Sequence, residues 1–194
     1  MRTLEILLAR HGATAGNLRN AYLGVTDDPL CPEGRSELRT LDPTVETVYV
    51  TPLIRTQQTA EILFPNARQI IVPGLAEMNF GEFENKNYEE LSDDAAYRTW
   101  LDGGCEAPCP GGESRRQFCD RACTAFASLV SQALEQRAPR LVIVAHGGVV
   151  MAVGERFAVP KRDYYSWRVS NGTVSRFTTD GSLWSTRQIL TVEA

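Results

Sequence analysis

Only two of the 194 residues are histidine, and each closes a hydrophobic run and opens onto glycine. Arg10-His11-Gly12 follows Leu4-Glu5-Ile6-Leu7-Leu8-Ala9, and Ala145-His146-Gly147-Gly148 follows Leu141-Val142-Ile143-Val144. Imidazole is the one side chain whose ordinary proton affinity lies near neutral pH, so it suits nucleophilic and acid–base work. Glycine beside it lets backbone N–H groups approach an anion closely. Arg10 adjoins the first histidine, and Arg55 follows Thr51-Pro52-Leu53-Ile54 and opens a helical pattern. An arginine fork matches phosphate geometry better than lysine does. Taken singly, each histidine reads equally well as a turn or cap, and each arginine as a surface charge. Gathered at one edge of a sheet, the four make a phosphate pocket.

The hydrophobic pattern supplies that edge. Short apolar runs at 4–9, 47–50, 70–72, 141–145 and 174–179 read as strands. The first and fourth are almost wholly apolar, as central strands covered on both faces must be. Helical patterns at 15–19, 32–41, 55–63, 88–101, 114–136 and 149–157 alternate with them. In the longest, Phe118, Ala122, Phe126, Leu129, Val130, Ala133 and Leu134 recur at three- and four-residue spacing, and Ser114 with Gln117 forms a capping-box pattern. The alternation predicts a three-layer α/β/α sandwich with a mostly parallel central sheet, in which ligands bind beyond the carboxyl ends of the strands. His11 and His146 fall at such ends. The whole chain, 1–194, reads as one domain. A polar stretch at about 73–113, rich in Gly and Pro near 103–112, forms a small lid insertion over the site.

Composition limits the partners. A formal net charge of -4 and the lack of a basic tract argue against nucleic acid, but not against a small phosphorylated substrate held by a few arginines. No segment approaches the ~18 apolar residues needed to cross a bilayer, and Glu5 interrupts the N-terminal apolar run, so the expected location is the cytoplasm, away from membranes. Five cysteines without an export signal read as reduced thiols. Cys119 and Cys123 fall beside the apolar stripe of the long helix, where packing is the better reading. Cys105 and Cys109 lie in the loop. Zinc is not expected, because the usual ligand spacings are absent. The pattern gives no oligomeric state.

The ordered motifs resemble those of the histidine phosphatase superfamily, the phosphoglycerate mutase-like proteins. Arg10-His11-Gly12-Ala13-Thr14-Ala15-Gly16-Asn17 is similar to its R-H-G-x-T-x-x-N signature. The segments Tyr22-Leu23-Gly24, Thr51-Pro52-Leu53-Ile54-Arg55 through Ala60, Leu75-Ala76-Glu77 through Glu84, Pro110-Gly111-Gly112-Glu113-Ser114 and Ala145-His146-Gly147-Gly148 continue the match along nearly the whole chain. Ala13, Phe83 and Asn85 depart from it, standing where an acidic or polar residue, tryptophan and glycine are common.

The resemblance implies phosphoryl transfer through a phosphohistidine on His11. Arg10, Arg55 and His146 would hold the transferring phosphoryl group, with His146 acting as a protonated donor. Glu77 would be the general acid, with Glu82 and Glu84 as alternatives for that role. Substrate-binding positions would include Asn17, Leu23, Gly24 and Gly147. No metal and no other cofactor is implied. The modest insertion favours a phosphatase, and the loop motifs look most like the α-ribazole phosphatase and broad-specificity branch, whose place is in cobalamin biosynthesis. Alternatives are a cofactor-dependent phosphoglycerate mutase and a non-catalytic phospholigand-binding protein.

Overall fold

The computed structural model describes residues 3–193. Its frame is a seven-stranded sheet. The strands are β1 (Thr3–Arg10), β2 (Thr47–Val50), β3 (Arg68–Ile71), β4 (Arg140–Ala145), β5 (Ala158–Val159), β6 (Val174–Asp180) and β7 (Leu190–Val192). Their spatial order is β3-β2-β4-β1-β6-β7-β5. Strands β3, β2, β4 and β1 run parallel, and β6 runs against β1. The predicted mostly parallel sheet is therefore present.

Alternation along the central strands covers both faces. Leu4, Ile6 and Leu8 of β1 join Leu141, Ile143 and Ala145 of β4 in one core cluster. Leu7 and Ala9 join Val142 and Val144 in the other. These residues are all but fully buried, so the strands lack the polar face of an exposed sheet. On the first face lie α5 (Arg115–Glu135) and α6 (Gly147–Phe157). On the second, Ala60 and Leu63 of α3 (Ile54–Leu63) seal the core.

Local chemistry sets the element ends. Ser114 accepts from the Gln117 N–H and the Gln117 side chain accepts from the Ser114 N–H, so the predicted capping box starts α5. Thr14 and Asn17 form a second such box on the short α1 (Ala15–Leu18). Three predicted helices shift or shorten. The run at 88–101 is helical only as α4 (Ala95–Asp102), because Asp94 caps Ala96 and Tyr97 while Asn87 turns the preceding chain through Glu89 and Glu90. The run at 32–41 ends as α2 (Pro32–Glu37), since Leu38 goes extended and buries its side chain. The helix after His146 begins at Gly147, two residues earlier than predicted. The strands β5 and β7 and the helix α7 (Gly181–Arg187) were not predicted; they are too short for periodicity to declare them.

The first face depends on aromatic packing. Phe126 of α5 stacks on Phe157 with centroids 5.7 Å apart and lies 6.4 Å from Trp184. Phe126→Ala should lower the unfolding free energy by about 3–5 kcal/mol, the usual result of emptying a well-packed aromatic site. Chemical denaturation checks this, with the exposed Tyr88→Ala as a control expected to change stability by less than about 0.5 kcal/mol.

Candidate active site

The site is built on one register. Arg10 pairs with Ala145 across the parallel β1–β4 ladder, so the next residues, His11 and His146, leave neighbouring strands together. Their ring centroids are 5.3 Å apart with planes at 66°. Both residues are buried.

Each ring has one nitrogen committed. His11 Nδ1 lies 2.7 Å from the Gly12 carbonyl oxygen. A carbonyl only accepts, so a neutral ring carries its proton on Nδ1 and leaves Nε2 with a free lone pair. Burial, and then the positive charge of Arg55, push the His11 pKa down to about 3. His146 Nε2 is 3.0 Å from Thr51 Oγ1, and its Nδ1 has no partner. Burial first, then Arg55 and His11, hold its pKa well below the ordinary value. These surroundings favour a neutral His146, whereas the protonated donor expected from the sequence is one that a nearby phosphate would favour.

Two arginines are aimed by backbone carbonyls. Arg10 Nη1 donates to Val169 O at 2.6 Å. Arg55 is fully buried and donates to Thr26 O at 2.7 Å and to Gly24 and Leu23 O at 2.8 and 3.3 Å. Neither Arg10 Nε nor Arg55 Nε has a partner. Among the described residues, the buried side-chain nitrogen or oxygen atoms without a partner are these two and His146 Nδ1. An orphaned buried N–H is costly, and the two arginine Nε–H groups are donors that an oxyanion would satisfy.

Glu77 is the one acidic residue of the cavity wall among the described residues. Its carboxyl accepts from Gly148 N at 2.9 Å and Met78 N at 3.0 Å. Burial pushes its pKa up, opposed by those two bonds and by Arg55 and Arg10. A Cβ at Gly148 would stand 2.2 Å from Glu77 Oε1, so any larger residue there displaces the carboxyl. Asn17 lines the cavity, and its Oδ1 accepts from Asn171 Nδ2 at 3.1 Å. Leu23 and Gly147 also line it. Gly24 stands behind, close enough that a Cβ would lie 1.8 Å from the Met78 carbonyl oxygen.

The alternatives to Glu77 are placed otherwise. Glu84 accepts from the backbone N–H groups of Gly24, Val25, Thr26 and Phe80 and from the Thr26 hydroxyl, so it staples the 24–26 loop. Glu82 is exposed. Asn85 has φ of 58°, the left-handed region where glycine is usual and asparagine is tolerated. Phe83 is buried against Tyr97 and Trp100.

The cavity holds about 840 Å³. Beyond His11 and Glu77, its walls include Tyr22, whose ring lies near those of Phe80 and Trp100, together with Met151, Tyr164 and Arg168. Sequence reasoning missed Tyr164, Arg168 and Asn171. They precede β6, and a uniformly parallel reading puts the entrance to a strand at the far edge. Because β6 is antiparallel, Val174 at its start pairs with Ala9 at the end of β1, which brings residues 164–173 to the site. Asn171 Nδ2 donates to His11 O at 3.2 Å and Gly12 O at 3.4 Å. The Asn171-Gly172 turn signal was the one readable hint.

All five cysteines are free. Cys119 and Cys123 are buried along α5, as the packing reading expected, whereas Cys105 is half-buried and lines the cavity. Among the described residues, no group of three or more His, Cys, Asp and Glu could hold a metal ion. No helix there is long and apolar enough to cross a membrane.

Known proteins share this arrangement of the chain. A protein of Enterobacter sp. (strain 638) described as a probable phosphoglycerate mutase GpmB is 28% identical over 191 residues, covering 93% of this chain and 87% of that one. The alpha-ribazole phosphatase from Shigella flexneri superposes with a TM-score of 0.82 at 24% identity, covering 98% of this chain and 95% of that one. The protein TTHB049 from Thermus thermophilus superposes with a TM-score of 0.70 at 30% identity, covering 97% of this chain and 98% of that one. The profile of the histidine phosphatase superfamily (branch 1) matches residues 6–190. The chain belongs to the histidine phosphatase superfamily, branch 1.

Proposed function

We propose that this protein hydrolyses phosphomonoesters of a small metabolite through a phosphohistidine on His11. One observation carries the reading: His11 leaves Nε2 free beside the His146 ring, while Arg10 Nε, Arg55 Nε and His146 Nδ1 are buried without a partner. Phosphoryl oxygens satisfy all three.

In the first step, His11 Nε2 attacks phosphorus and the ester P–O bond breaks. The leaving oxygen takes the proton of the Glu77 carboxyl, which burial keeps more basic than an ordinary carboxylate. In the second step water attacks phosphorus, Glu77 takes its proton, and the N–P bond breaks to restore neutral His11. Arg10, Arg55, His146 and the Gly147 amide stabilise the charge on the transferring oxygens, with Asn17 as a further contact. If the Thr51 hydroxyl donates to Nε2, His146 presents an Nδ1–H to the phosphoryl group without being charged. These donors supply the positive charge, so the reaction needs no metal ion.

The whole chain acts as one catalytic domain, and the 73–113 segment selects the leaving group. Its Phe80 and Trp100, with Tyr22, give the cavity an aromatic wall that suits a nucleotide-like ester such as α-ribazole 5'-phosphate. The solved α-ribazole phosphatases share the fold and support this choice. The name of the Enterobacter relative favours a second reading, phosphoglycerate mutase. Under that reading 2,3-bisphosphoglycerate strongly stimulates phosphoglycerate interconversion, and a flat response removes it.

Purified protein should turn over phosphomonoesters in excess chelator, and His11→Ala should abolish turnover. No turnover by the wild type, or full turnover by the variant, contradicts the proposal. Across a panel of phosphorylated metabolites, α-ribazole 5'-phosphate should show the highest kcat/KM. The histidines permit a second check by NMR, since only two ring spin systems exist. With its pKa at about 3, His11 stays neutral down to pH 5, and His146, held well below its ordinary value by burial and by Arg55, stays neutral where a free imidazole would titrate. A ring titrating near pH 6.5 would contradict the electrostatics described above.

A further inference from the structure

Glu77 lies where the backbone has little regular structure to hold it. Upstream is a single 3-10 turn, Pro73–Leu75, and the next regular turn begins at Gly81. Yet a proton donor needs placement to a fraction of an ångström. The anchor comes from α5. Arg121 Nη1 donates to Gly74 O and Ala76 O, each at 3.0 Å, and Nη2 reaches Glu77 O at 3.3 Å.

Glu113 completes the grip. It takes Arg121 Nε and Nη2 in a fork at 3.0 and 2.8 Å. The same carboxylate accepts from Asn79 N at 2.9 Å, and Glu113 N donates to Asn79 O at 2.9 Å. One ion pair thus fixes the backbone on both sides of Glu77. The Arg121 guanidinium also lies 5.5 Å over the Phe118 ring, one helical turn earlier. Phe118 in turn packs beneath Gly148, whose N–H holds the Glu77 carboxyl. Main chain and carboxyl of Glu77 are therefore braced from the same face of α5.

We propose that Arg121, clamped by Glu113, is a positioning residue that holds Glu77 in place for proton transfer to the leaving oxygen. This rests on the reading of Glu77 as the general acid. The guanidinium is neutralised by Glu113 and bonds to carbonyls, so its effect is on position. Phosphate binding is left to Arg10, Arg55 and the histidines.

The test compares glycerol phosphate, whose alkoxide must be protonated, with dinitrophenyl phosphate, whose phenolate leaves unaided. Arg121→Met should lower kcat/KM, which reports the phosphorylation step, on glycerol phosphate by about 10²-fold, the usual result of a roughly 1 Å misplacement, and on dinitrophenyl phosphate by less than about tenfold. Inhibition by inorganic phosphate should be unchanged. Adding Arg121→Met to Glu77→Gln should cost little more than Glu77→Gln alone, because both act on one group. Glu113→Gln keeps part of the network and should show the same selectivity at smaller size, which serves if Arg121→Met does not fold. Equal losses on both substrates, or additive losses in the double variant, overturn the proposal. If Glu77→Gln itself lacks leaving-group selectivity, the general-acid reading fails first. If it shows that selectivity and neither Arg121→Met nor Glu113→Gln does, the clamp alone fails.

Discussion

The parallel pairing of β1 with β4 sets Arg10 opposite Ala145, and the reactive geometry follows from that register. Both strands are buried on both faces, so a slip of one residue would exchange their entire packing between the two core clusters. The core thus enforces a register whose consequence appears one residue beyond it, where His11 and His146 emerge side by side. Every other group is positioned against that pair. Thr59 ties the Gly12 amide to α3 at 2.9 Å, and Asn171 holds the His11 and Gly12 carbonyls from the antiparallel side.

The electrostatics of the pocket's own residues run against folding. Two arginines with unpartnered Nε–H groups and two neutral buried imidazoles face a single carboxyl. Burying such groups without partners costs free energy, and a site with no function would pair them internally. A dianionic phosphoryl group reverses that balance by supplying the missing acceptors and charge. On the proposed mechanism the same surroundings keep His11 unprotonated, burial first and then the repulsion of a ring proton by Arg55 and Arg10.

Much of this was legible in the sequence where the signal is short-range. The strands at 4–9 and 141–145, the capping box at Ser114 and the glycine turns after both histidines declare themselves through period, cap and turn chemistry. Strand-end placement accounts for His11 and His146 leaving neighbouring strands together. Legibility failed where one strand reversed. Nothing local to residues 174–180 marks β6 as antiparallel, so Tyr164, Arg168 and Asn171 could not be assigned to the pocket. It failed again for Arg121 and Glu113, whose bonds reach across to residues 74–79; a charge on a helix or just before it looks the same in sequence whether it meets water or a loop.

The most direct measurement is the intermediate itself. Rapid mixing with a dinitrophenyl phosphate, followed by denaturing quench and peptide mapping, should find one phosphoryl group on His11. It should be labile to acid, stable to alkali, and formed as fast as the phenolate burst. Phosphate on serine, threonine or carboxylate, or a burst with no covalent adduct in wild-type protein, would contradict the account.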